Sequence, residues 1–153
     1  MQFEGKKILV IGAGISGFAA ARIAKKFGAE VALSDSKAES DLKYDFSELR
    51  QLKIDLKFGK QTDDQLDGVD LIIVSPAVPI KIPLLQSAIA RGISIISEVE
   101  LAYELSKSPI CAVTGTNGKT TTVTLLGLLL ETAYPKVGVG GNIGVALSEV
   151  ALE

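Results

Sequence analysis

The chain has 153 residues, 47% of them hydrophobic and 22% charged, with 15 glycines and 5 prolines. That balance excludes a disordered tail, a collagen-like repeat and a disulfide-stapled mini-protein, and it leaves enough chain to bury a core. A net charge of −2 argues against a nucleic-acid binder held by broad phosphate neutralisation, and the absence of histidine excludes His-based triads and His-ligated metals.

The single cysteine, Cys111, has no internal disulfide partner, which points to a reducing cytoplasm. The longest apolar stretches, such as Val69 to Val74 broken by Asp70, fall far short of the ~20 residues that span a bilayer. The N-terminus lacks the length of a signal h-region and its cleavage pattern.

In chain order, Lys7-Ile8-Leu9-Val10-Ile11 is a continuous β-branched run, expected of a strand buried on both faces. Gly12-Ala13-Gly14 breaks it. Ala20, Ile23, Ala24 and Phe27 then recur at the spacing of one helix face, with Gly28 placed to stop that helix. Val31 to Leu33 reads as a second strand ending at Ser34-Asp35, and Asp35 to Asp45 as polar loop. Phe46 to Leu52 is a short helix and Asp55 to Phe58 a weak strand before Gly59. Val69 to Val74 is the strongest strand, ended by Ser75-Pro76-Ala77-Val78-Pro79. A helix is expected from Pro83 to Ala90, a strand from Ile93 to Ile96, and a capping box at Ser97-Glu98-Val99-Glu100 opening a helix to about Leu105.

Strands and helices alternating through short loops define an α/β fold, a parallel five-stranded Rossmann-like sheet with helices on both faces. Ser106-Lys107-Ser108-Pro109 is the polar, proline-ended break that follows. It sets a boundary between a first domain over 1–107 and the opening of a second over 108–153. The second begins with a strand at Ile110 to Val113, a loop over Thr114 to Lys119, a helix from Thr120 to about Glu131 and a glycine-rich stretch over Val137 to Gly144.

Two motifs carry chemistry. Gly12-x-Gly14-x-x-Gly17 follows a strand and opens a helix, where glycines allow a tight turn and close approach of a diphosphate to helix N-terminal N–H groups. Asp35, 18 residues past Gly17, stands where an acid meets a ribose hydroxyl; a purely structural glycine turn and a solvated loop carboxylate are the alternatives. The second motif is Gly115-Thr116-Asn117-Gly118-Lys119-Thr120-Thr121, a glycine loop ending in Gly-Lys-Thr between a strand pattern and a helical one. Its N–H groups suit the phosphates of ATP, Lys119 the β/γ oxygens and Thr120 a magnesium ion. The position that usually carries the first glycine of such a loop is Val113, so this is a compressed variant; the alternative is a helix N-terminus with an exposed lysine. Two phosphate loops in one chain disfavour a plain dehydrogenase.

These segments, together with Ser75-Pro76-Ala77-Val78-Pro79, Ser97-Glu98-Val99-Glu100-Leu101 and Gly140-Gly141-Asn142-Ile143-Gly144, resemble the N-terminal part of the Mur ligases, most closely the D-glutamate-adding branch. One position departs: Ala77 stands where Gly usually follows Ser-Pro. The resemblance implies an ATP- and Mg-dependent ligase of peptidoglycan precursor synthesis. ATP would phosphorylate the carboxylate of UDP-N-acetylmuramoyl-L-alanine, and the D-glutamate amine would attack the acyl phosphate.

By the same resemblance Gly14, Ile15 and Ser16 lie near the diphosphate, Asp35, Ser36 and Lys37 near ribose and uracil, Ser75 near the base, and Asn142 approaches the substrate from the ATPase side. Ser75 as a turn cap, Lys37 as a solvated charge and Asn142 as a left-handed backbone position are the bland readings. The parent is expected to be a monomeric enzyme with no nucleic-acid or membrane partner. This chain is expected to be an inactive fragment of it, carrying the UDP site and the phosphate loop. Leu125, Leu126, Leu128, Leu129 and Leu130 make the helix after Lys119 apolar nearly all round, so it is expected to fold against the first domain or to pair with another copy. The competing functions are an NAD(P)-binding Rossmann regulatory module and a small ATPase.

Overall fold

A computed structural model describes residues 3–141 and 144–152. Five parallel strands form one sheet: β1 (Lys7–Ile11), β2 (Glu30–Asp35), β3 (Asp55–Phe58), β4 (Leu71–Val74) and β5 (Ser94–Ser97), in the order β3-β2-β1-β4-β5. The central β1 aligns Ile8 to Ile11 with Val31 to Ser34 on one side and with Leu71 to Val74 on the other. The chain winds outward from β1 in both directions, so the sheet has a switch point between β1 and β4, where crevices open at the strands' C-terminal ends.

Successive side chains of a strand face opposite ways, and β1 is apolar throughout because both of its faces are covered. Ile8 and Val10 join Val31, Leu33, Leu71 and Ile73 beneath α1 (Ile15–Lys26), α2 (Ser47–Gln51) and α4 (Glu98–Leu105). Leu9 and Ile11 join Ile72 and Val74 beneath α3 (Pro83–Ala90), which contributes Leu84, Leu85 and Ala88. Each large side chain buried this way contributes about 1.5–3 kcal/mol. Alanines 19, 20, 21 and 24 of α1 are buried, and their small size lets the helix lie close on the sheet.

Most elements form where the spacing predicts. At Ser97 both capping-box bonds are present: the Glu100 N–H donates to Ser97 Oγ at 3.1 Å, and the Ser97 N–H donates to Glu100 Oε2 at 2.6 Å. Beyond Ser106 the outcome differs. Residues 110–113, expected as a strand, have no sheet partner and form none, because an extended apolar run becomes a strand only against another. Helix α5 (Lys119–Glu131) forms but does not dock on the sheet's helices. Leu125, Leu128 and Leu129 are exposed, and Gly127 alone is buried, with Val139 against it.

The C-terminal segment does return to the core. The short α6 (Leu147–Val150) packs on α1 and α4, burying Ala146 and Ser148, and Leu152 packs on the same core cluster. Buried Glu98, the first residue of α4, accepts the Ser148 N–H at 2.7 Å and anchors that return. No helix among the described residues is long and apolar enough to cross a membrane.

Candidate functional site at the switch point

The glycine turn leaves β1 at its C-terminal end, and each of its glycines has a separate physical reason. Gly12 adopts φ +99°, and a Cβ there would lie 2.7 Å from Val78 Cγ2. A Cβ on Gly17 would lie 1.7 Å from the Gly12 carbonyl oxygen, so the first turn of α1 can sit against the turn only without a side chain. Gly14 is the N-cap of α1 at an ordinary φ of −86°, and a Cβ there would meet nothing within 4 Å. Gly12 and Gly17 therefore serve packing, while Gly14 presents bare backbone to open space.

No side chain caps α1, and its first turn carries no acid. The positive end of the helix dipole and its free N–H groups are left for an anion from outside. Ile15 is exposed there and Ser16 half-buried.

The neighbouring strand ends close around this turn. Asp35 ends β2, and its carboxylate accepts the Ala13 N–H at 2.8 Å and the Lys37 N–H at 2.9 Å. Ser36 and Lys37 follow with exposed side chains. Ser75, just past β4, is buried, and its N–H donates to the Ile11 carbonyl at 2.9 Å. Gly14, Ile15, Ser16, Asp35, Ser36, Lys37 and Ser75 are thus gathered at the C-terminal ends of β1, β2 and β4. Ala77 is exposed, so the extra methyl of this chain points to no packed neighbour.

Two features of this end escaped the sequence pattern. The Ser34 hydroxyl is buried, donates to Gln65 Oε1 at 2.8 Å and accepts from Gln61 Nε2 at 3.0 Å, a polar cluster assembled from residues far apart in the chain. A mostly apolar cleft of about 520 Å³ runs past Ser75 and Pro76 between Val78, Ile89 and Ile95. A larger cleft of about 670 Å³ lies against the second half of α1, with Arg22, Lys25 and Glu149 on its walls. It is away from the strand ends, so size alone does not locate the site.

The second loop stands apart from this cluster. Residues 114–121 are exposed, Gly118 caps α5 in the left-handed region at φ +75°, and no acid lies in the first turn. Lys119 Nζ folds back to donate to the carbonyl oxygens of Gly115 and of Thr116, the latter at 3.3 Å. The ammonium is thus held against its own loop, and Thr120 sits on the same first turn; a lysine and a hydroxyl at a helix start have the chemistry a phosphate takes. Among the described residues no group of three acidic or cysteine side chains could hold a metal ion, and Thr120 offers a hydroxyl oxygen of the kind magnesium takes. Asn142 lies outside the described residues.

The strand order, the switch point and an uncapped helix after a glycine turn define a doubly wound, Rossmann-like α/β unit. The profile described as Mur ligase MurD-like, N-terminal domain, matches residues 6–97. The chain belongs to that family. It is 44% identical over 153 residues to the UDP-N-acetylmuramoylalanine–D-glutamate ligase of a Thermoanaerobacter species, covering all of this chain and 34% of that protein. With the ligase of the same name from Exiguobacterium sibiricum it shares 45% over 150 residues, 98% of this chain and 33% of that protein.

The chain therefore spans about a third of the length of the curated relatives it matches. Similar solved structures include a murein peptide ligase from Psychrobacter arcticus (TM-score 0.60, 25% identity, 84% of this chain and 27% of that one). A UDP-N-acetylmuramate–alanine ligase from Thermotoga maritima is also similar (TM-score 0.54, 28% identity, 82% and 29%).

Proposed function

We propose that residues 1–107 are the UDP-substrate-binding domain, and 108–153 the opening of the ATPase domain, of a ligase adding D-glutamate to UDP-N-acetylmuramoyl-L-alanine in cytoplasmic peptidoglycan precursor synthesis. The single observation that carries the reading is the uncapped N-terminus of α1, with the open face of Gly14 at the switch point. The family membership supplies the chemistry of the ligand.

The diphosphate sits on the N–H groups from Gly14 to Ser16, with helix dipole and backbone donors offsetting its charge. Ribose and uracil extend past Asp35, Ser36 and Lys37 toward Ser75. The Gly115–Thr121 loop takes the phosphates of ATP, with Lys119 on the β/γ oxygens and Thr120 toward magnesium. Bound magnesium supplies neutralisation of the charge that develops in phosphoryl transfer. Asn142 approaches the UDP-muramoyl substrate from the ATPase side. Phosphoryl transfer depends chiefly on positioning and charge stabilisation.

Titration calorimetry of the chain with UDP and with NAD tests this. Heat with UDP at concentrations where NAD gives none is the expected result. Tighter binding of NAD would favour the regulatory-module reading, and silence with UDP to millimolar would remove the proposal. The small-ATPase reading requires magnesium-dependent ATP turnover by the chain, abolished by Lys119→Ala; no turnover is expected.

A further inference from the structure

We propose that Asp35 acts on a bound diphosphate through the glycine turn: it is a positioning residue that holds Ala13 and, with it, the N-terminus of α1. The proposal rests on the reading of this crest as a nucleoside-diphosphate site.

A carboxylate has about four lone-pair sites, two to each oxygen, so backbone donors can fix its position without filling it. Here each oxygen already has a backbone donor: Oδ2 accepts from Ala13 and Oδ1 from Lys37. Ala13 is fully buried, so its N–H has no water to fall back on. The preceding amide is held in the same way, since the Gly12 N–H donates to the Ser34 carbonyl at 2.8 Å. Two successive amides of the turn are thus gripped by two successive residues of β2. The N–H groups free to meet a ligand begin just beyond them, at the uncapped start of α1. Asp35 also anchors the far side, because its carbonyl accepts the Gly59 N–H at 3.0 Å. The exits of β1, β2 and β3 meet on this one residue.

The electrostatics separate this role from direct contact. A carboxylate beside a diphosphate repels it, so removing the charge would strengthen anion binding if Asp35 had no positional role. The full chain and its Asp35→Asn and Asp35→Ala variants are titrated with UDP, 2′-deoxy-UDP and inorganic pyrophosphate, and amide hydrogen exchange is followed by NMR. In both variants the three ligands are expected to weaken together, by about tenfold, the equivalent of one well-made hydrogen bond. Exchange at Ala13 and through Gly17 is expected to quicken by about tenfold or more, while β1 and β4 keep their protection.

Unchanged or tighter pyrophosphate binding, with loss of any preference between UDP and its 2′-deoxy form, would overturn the proposal. So would Ala13 exchange left unchanged in both variants. If the unmodified chain bound none of the three ligands, the diphosphate reading would fail. The Ala13 exchange would then still decide whether Asp35 holds the turn.

Discussion

At the scale of single residues, the two ends of the glycine turn make opposite predictions. Gly17→Ala places a methyl on the Gly12 carbonyl, with a virtual separation of 1.7 Å that no rotamer relieves. It is expected to cost about 3 kcal/mol or more in urea unfolding. Gly14→Ala meets nothing within 4 Å, so its stability cost is expected to stay at about 1 kcal/mol or less, the loss typical of alanine at an N-cap. Its methyl would nonetheless stand over the open backbone and weaken UDP binding. A Gly14→Ala chain that binds UDP unchanged would move the diphosphate elsewhere. The capping box offers a second residue-scale test. The Ser97 backbone N–H, and after it the Ser97 side chain, hold the Glu100 carboxyl below its ordinary value of 4.5. A group depressed in the folded state stabilises above its unfolded value and ceases to do so as pH falls through the lower folded value. The start of α4 is therefore expected to lose protection on acidification below 4.5, and Ser97→Ala to return the Glu100 titration, read by NMR, toward 4.5.

Among the elements, those defined by their own residues and those defined by a partner behave differently. The helix α4 has its start written in Ser97 and Glu100, and Pro83 sits at the first position of α3, so both begin where local chemistry puts them. The run Ile110 to Val113 has as good a strand pattern as β1, but no neighbouring strand lies alongside it, and it stays unpaired. The reverse holds for α6. Four residues have no helical pattern to read, and they are held by a buried carboxylate 50 positions earlier in the chain. Glu98→Ala is expected to destabilise the chain by about 2 kcal/mol, as for a buried hydrogen bond to a charged acceptor. It should release α6, seen as rapid exchange of the Ser148 amide, whereas Glu98→Gln keeps an acceptor and much of that protection. An equally protected Ser148 in the alanine variant would show that packing alone holds the segment.

For the whole molecule, the covered sheet and the uncovered α5 pull in different directions. The sheet's two faces are closed by α1, α2, α4 and α6 on one side and by α3 on the other. Leu125, Leu128 and Leu129 of α5 remain 56%, 57% and 68% exposed. Of the two outcomes expected for this helix, docking on the first domain is not the one realised. The chain is therefore expected to associate as its concentration rises, and Leu125→Lys with Leu129→Lys to restore a monomer in sedimentation. A monomer at every concentration would show that these leucines stay solvated. By itself the amino-acid sequence determined the α/β class, nearly every strand and helix of the sheet and the place of the two glycine loops, because hydrophobic period, glycine and capping signals are local. Only the tertiary structure decided that Gly12 and Gly17 serve packing while Gly14 faces open space, that both oxygens of Asp35 accept backbone amides, and that residue 148 closes on residue 98. Those outcomes depend on which distant groups come within hydrogen-bonding or van der Waals distance, and no local spacing carries that information.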